Sequence, residues 1–90
     1  MTDGGELAPE EVAPSLGPGA MLARERVEKG LSVADIAAKL RYSVKQIEAL
    51  ECDDYPRLPG ATFVRGMIRG YAKIIGESAT PILEAYEMRH

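Results

Sequence analysis

The chain has 90 residues, 46% of them hydrophobic and 28% charged, with a formal net charge of −3. That length makes one domain at most, and no apolar run approaches the ~20 residues that span a bilayer. Cys52 is the only cysteine, which excludes an intrachain disulfide and a cysteine metal cluster.

The charge is unevenly placed. Residues 1–17 hold Asp3, Glu6, Glu10 and Glu11 and no cation, so the remainder of the chain is close to neutral. Nucleic-acid-binding domains are usually strongly basic, so the balance favours that class only weakly. The opening MTDGGELAPEE is acidic where a signal peptide needs a positive region. Residues 1–17, rich in Gly, Pro, Ala and Glu without apolar periodicity, read as an acidic disordered tail. Residues 18–90 read as the folded domain.

Helices are expected near 19–29, 33–40, 44–52, 61–75 and 81–88. In the first, Glu25 and Lys29 form a favourably oriented i, i+4 pair, and Gly30 suits a left-handed C-terminal stop. Ser32 caps the second with Asp35 behind it, and Val33, Ile36, Ala37 and Leu40 share one face. After the short link Arg41-Tyr42, Ser43 and Gln46 make a capping box for the third helix, whose apolar face is Val44, Ile47 and Leu50. Asp53, Asp54 and Pro56 end it. The fourth helix, ATFVRGMIRGYAKII, stops at Gly76. Thr80 and Pro81 start the fifth, which Ile82, Leu83 and Tyr86 dock onto the bundle. No run alternates with period two, so the fold class is all-α.

Catalysis has little support. His90 is the only histidine, and no nucleophile–base pair, metal-ligand cluster or glycine-rich phosphate loop is present. Glu48 and Glu51 are better read as solvated surface charges than as an acid–base pair. No cofactor is implied. Residues 30–51 read as a helix-turn-helix. In a DNA-binding role, Ser43, Lys45 and Gln46 would enter the groove, with Arg41 and Lys39 on the backbone. Glu48, Glu51, Asp53 and Asp54 oppose that role by repelling phosphate.

On the fourth helix each residue turns about 100°. With Phe63 as zero, Ile74 and Met67 lie beside it, and Tyr71, Val64, Ile75 and Ile68 extend the stripe to about 140°. Arg65, Arg69 and Lys73 form a separate cationic line. Val64, Ile68 and Ile75 can satisfy the core and leave Phe63 and Met67 partly exposed beside the cations; the alternative is that the fifth helix covers Phe63 and Met67, since broad apolar faces normally mean core. Gly66 and Gly70 have the spacing of a membrane-helix dimer motif without the apolar context, so helix-four dimerisation is the weakest alternative.

The segments LARERVEKGLSVADIAAKL, IEALECDDYPRLPG and ATFVRGMIRGYAKIIG resemble the cytoplasmic N-terminal domain of the RodZ family of bacterial cell-shape proteins, over about residues 19–86. The resemblance implies a compact five-helix bundle of the phage-repressor-like helix-turn-helix class. It also implies a non-catalytic module that binds the actin-like filament protein MreB through the fourth helix and links it to the membrane-bound elongation machinery. Within the family the domain is the cytoplasmic part of a single-pass inner-membrane protein. On this chain the implied contact residues are Phe63, Met67, Arg65, Arg69 and Tyr71, with Met67 standing where many relatives carry tyrosine. The segment itself is expected to be a monomer without direct membrane contact. A sequence-specific DNA-binding regulator is the alternative. Val33 and Arg41, at positions where DNA-binding relatives often carry glutamine and glycine, weaken it.

Overall fold

The computed structural model describes residues 17–89. Five α-helices follow one another: α1 Pro18–Glu28, α2 Val33–Leu40, α3 Val44–Glu51, α4 Ala61–Ile75 and α5 Thr80–Arg89, with a one-turn 3-10 helix at Tyr55–Arg57 before α4. The described residues contain no strand, and each helix falls within one or two residues of its expected span. The expected tail lies outside the described residues except for Gly17, which is buried and precedes α1 directly.

Local chemistry sets the starts of α2 and α3. The Ser32 hydroxyl accepts from the Asp35 N–H at 3.0 Å, and the Asp35 carboxylate accepts from the Ser32 N–H at 2.8 Å. Ser43 and Gln46 make the same reciprocal pair at 3.0 Å in both directions. Each box satisfies two N–H groups that have no partner inside the helix.

The C-terminal ends share one device. Gly30, Arg41, Asp53 and Gly76 are all left-handed, with φ of 72°, 64°, 56° and 73°. After each, the chain donates an N–H back five residues: Leu31 to Arg26, Tyr42 to Ala37, Asp54 to Ala49 and Glu77 to Ala72. This closure satisfies carbonyls at the helix end and turns the chain sharply. Glycine adopts it without penalty, and Asp tolerates it. Arg41 carries the steric cost in full, in the link between the two helices of the helix-turn-helix.

The core is one cluster built from all five helices. Leu22, Ile36, Ile47, Leu50, Met67, Ile68, Tyr71 and Ile75 are fully buried. Ile82 and Tyr86 dock α5 as the sequence indicated, with Leu83 partly buried beside them. The first turn of α1 seats directly on the end of α3. A Cβ on Gly19 would lie 2.1 Å from the Leu50 carbonyl oxygen and 2.6 Å from that of Glu51, so only glycine permits the approach. The Gly19 N–H also donates to the Asp53 carboxylate at 2.8 Å.

Val64, Ile68 and Ile75 of α4 are buried as expected, and of the two residues left open between exposure and cover, Met67 is buried and Phe63 half-buried. The buried face runs from Met67 at about 40° through Tyr71, Val64, Ile75 and Ile68 to Ala72 at about 180° on the scale that puts Phe63 at zero. Met67 is 0% exposed and is a core residue rather than a partly exposed one. Phe63, Ile74 and Gly70 form one flank of the buried face, Arg65 the other, and Gly66, Arg69 and Lys73 face outward. The arc is wide because α4 packs against α1, α2 and α5 together. A helix with three neighbours buries a broader arc than one at the edge of a bundle.

Candidate functional site

Phe63 sits in the first turn of α4, half-buried, with Tyr42 of the α2–α3 link edge-on to it at 5.1 Å between ring centroids. Such T-shaped contacts are favourable beyond the area they bury. The left-handed turn at Arg41 delivers Tyr42 to this position, one residue after the αL backbone. Further along α4, Gly70 lets α2 come close: a Cβ there would meet the Leu40 Cδ2 atom at 2.8 Å. A Cβ on Gly66, by contrast, meets nothing within 4 Å. The two glycines therefore do not form one helix-packing stripe; Gly70 is used within the chain and Gly66 opens to solvent.

The three cations of α4 have separate fates. Arg65 is bound by Glu87 of α5 in a two-pronged pair, with Nε to Oε2 at 2.5 Å and Nη2 to Oε1 at 3.2 Å. It also lies over the Tyr86 ring at 5.9 Å from the centroid. The Glu87 carboxylate raises the Arg65 pKa. Arg69 and Lys73 are exposed and have no ion-pair partner within 4 Å among the described residues. Of the five contact residues that the family resemblance implied, Phe63 and Arg69 present accessible surface. Arg65 does so only in part, and Met67 and Tyr71 are enclosed in the core.

Tyr71 belongs to a polar network that the sequence reading missed. Its hydroxyl donates to Glu51, whose carboxylate also receives Arg26 Nε at 2.7 Å and Nη2 at 3.1 Å. Arg26 Nη1 reaches the Leu31 carbonyl at 3.0 Å. The side chains of Arg26 and Glu51 are only 15% and 10% exposed. Glu51 is thus an internal strut joining α1, α3 and α4, and the expectation of a solvated surface charge was wrong. The hydrogen bond from Glu51 raises the Arg26 pKa. Burial first, and then the Glu51 carboxylate, pushes the Tyr71 phenol well above its usual range. Arg26 followed by Glu51, 25 residues later on another helix, leaves no periodic signal in sequence.

The residues of the DNA-binding alternative lie together on the outer side of α3. Arg41, Ser43 and Lys45 are exposed, and Lys45, Gln46 and Arg57 line one shallow depression. Gln46 is half-buried, and its side-chain oxygen is held by the Ser43 N–H. Two of the four acids expected to repel phosphate are paired with cations. Glu51 holds Arg26, Asp54 pairs with Arg57 at 2.9 Å, and Asp53 accepts from Gly19 and from the Tyr55 hydroxyl. Glu48 alone of the four remains an exposed charge without an ion pair among the described residues. The electrostatic objection to DNA is therefore smaller than the sequence implied.

Among the described residues no cluster of three or more His, Cys, Asp or Glu side chains has metal-binding geometry. No described helix is long and apolar enough to cross a membrane. The family model described as "Helix-turn-helix domain" matches residues 21–82. The chain is also 29% identical, over 69 residues, to the cytoskeleton protein RodZ of Streptococcus pneumoniae. That match covers 77% of this chain and 25% of the relative, so the chain spans about a quarter of the relative's length. No solved structure matches it.

Proposed function

The chain belongs to this family of helix-turn-helix domains, and on that footing we propose that it is a non-catalytic protein-binding module coupling MreB filaments to the membrane-bound machinery of cell shape. The observation that carries the reading is the similarity, over 77% of the chain, to a relative named as a cytoskeleton protein. In this reading the module is the cytoplasmic part of a longer single-pass membrane protein, as the family resemblance implies. The contact surface centres on Phe63 and Tyr42, which supply a half-buried aromatic pair, and extends along α4 to Arg69, an exposed cation on the outward side of the helix. Met67 and Tyr71 act from beneath by fixing the roll of α4. Arg65 reaches a partner only by leaving Glu87.

Co-sedimentation with polymerised MreB tests this. Truncating a central anchor commonly removes about 2 kcal/mol or more of binding, roughly a 30-fold loss of affinity. Phe63→Ala and Arg69→Glu are each expected to lower the pelleted fraction to near background while helical circular dichroism is retained. Wild-type pelleting by both variants defeats the assignment.

A second reading, a DNA-binding domain, is kept by one observation: Lys39, Arg41 and Lys45 are exposed without ion pairs among the described residues, while the nearby Glu51 and Asp54 are paired with cations. A fluorescence titration with mixed duplexes decides it. A DNA binder shows affinity falling steeply with salt, and no binding at low salt removes the reading.

A further inference from the structure

The outer face of α1 is the part of the molecule that the proposed contact surface leaves unused. Ala20, Ala23 and Val27 lie along it at helical spacing, beside Glu51 and Cys52 at the end of α3, and line a shallow groove of about 670 Å³. Val27 is 64% exposed, one of three large apolar side chains left open among the described residues; the others, Val44 and Met88, lie on different helices. Arg24 and Glu28 border the same face. Neither has an ion-pair partner among the described residues, although Glu25, Arg26 and Lys29 on the same helix all do. Along one helix, Arg24 and Glu28 stand in the less favourable i, i+4 order, cation before acid.

We propose that this face pairs with the same face of a second copy of the chain, with the two α1 helices antiparallel about a two-fold axis near residue 26. The charge pattern selects that occupant. In an antiparallel pair a residue faces one whose number makes a constant sum with its own, so an axis near residue 26 sets Arg24 of each copy against Glu28 of the other. The charges left unpaired within the chain become two symmetric bridges, as an isologous interface requires. Ala23 keeps the face low where the end of the partner's α1 passes, and Val27 of each copy is covered. The contact is small, so dilute chains stay monomeric. Copies gathered on one filament meet at millimolar effective concentration, where a weak contact is filled. Only this last step rests on the filament reading.

The test uses the 90-residue chain without filament, so its failure leaves the co-sedimentation assay untouched. Sedimentation equilibrium from 20 μM to 1 mM is expected to show weight-average mass rising toward the dimer. Over the same series, amide shifts are expected to move in α1 and at Glu51 and Cys52, and not around Phe63. Arg24→Glu and Glu28→Arg each place like charges opposite one another and weaken association by roughly 5-fold or more, on the scale of surface charge pairs. The double swap Arg24→Glu with Glu28→Arg returns association to within about twofold of wild type, which a purely structural role for either residue does not produce. Constant monomer mass up to 1 mM, concentration-dependent shifts on another face, or a double swap no better than the singles each overturns the proposal.

Discussion

Replacing Met67 by alanine separates a core residue from a contact residue on the same helix. The side chain is 0% exposed, so the substitution opens a cavity at the centre of the bundle. Buried Met→Ala changes cost about 2–5 kcal/mol. A domain of this size has a total stability of only about 5–10 kcal/mol. With about 3 kcal/mol lost, and roughly 4–8 °C of Tm per kcal/mol in a small domain, the melting temperature should fall by about 12–24 °C. Phe63→Ala, at a half-buried position with one aromatic neighbour, should cost about 1–2 kcal/mol and leave the fold intact at 25 °C. Thermal and urea unfolding followed at 222 nm, paired with filament co-sedimentation at 10 °C, gives both readouts. The expected pattern is a large Tm loss with residual binding for Met67→Ala, and a small Tm loss with lost binding for Phe63→Ala. If Met67→Ala melts like wild type but no longer binds, the burial argument is refuted and Met67 is a contact.

Three other substitutions probe how the bundle is held. Gly19→Ala drives a methyl group into the backbone carbonyls of Leu50 and Glu51 and strains the bond to Asp53, so the urea midpoint should drop by the equivalent of roughly 2–4 kcal/mol; an unchanged midpoint contradicts the close α1–α3 seating. Arg41→Gly relieves the left-handed backbone at φ 64° and should raise stability by about 0.5–1 kcal/mol, read as a Tm increase of a few degrees. The Tyr71 phenol has a folded pKa raised above its unfolded value near 10, first by burial and then by Glu51. Its contribution is therefore complete below pH 10 and is lost as pH rises toward the folded pKa. Urea unfolding between pH 8 and 11.5 should show stability falling above pH 10, with Tyr71→Phe shallower by about 1.4 kcal/mol per pH unit; parallel curves for the two proteins count against the network.

The sequence by itself determined the elements. Ser32 with Asp35 and Ser43 with Gln46 are signals three residues apart, and the capping boxes they announce form without help from distant residues. Gly30 and Gly76 likewise mark their helix ends directly, because glycine adopts the left-handed backbone at no steric cost. Asp53, whose short polar side chain tolerates that backbone, closes α3 where the run of acids and Pro56 marked its end, but Arg41 ends α2 in the same conformation and nothing local in its side chain announces it. There the tertiary packing of the next helix imposes the turn. The roll of α4 is the larger case. Its apolar stripe spans more arc than one contact covers, so periodicity left the buried part undecided between Phe63 and Ala72. Three neighbouring helices chose the arc from Met67 to Ala72, pushed Phe63 to the rim beside Tyr42, and assigned Arg65 to Glu87. Periodicity reports which residues prefer to leave water. Which of them succeed depends on where the rest of the chain stands, and that is set by contacts dozens of residues away in sequence.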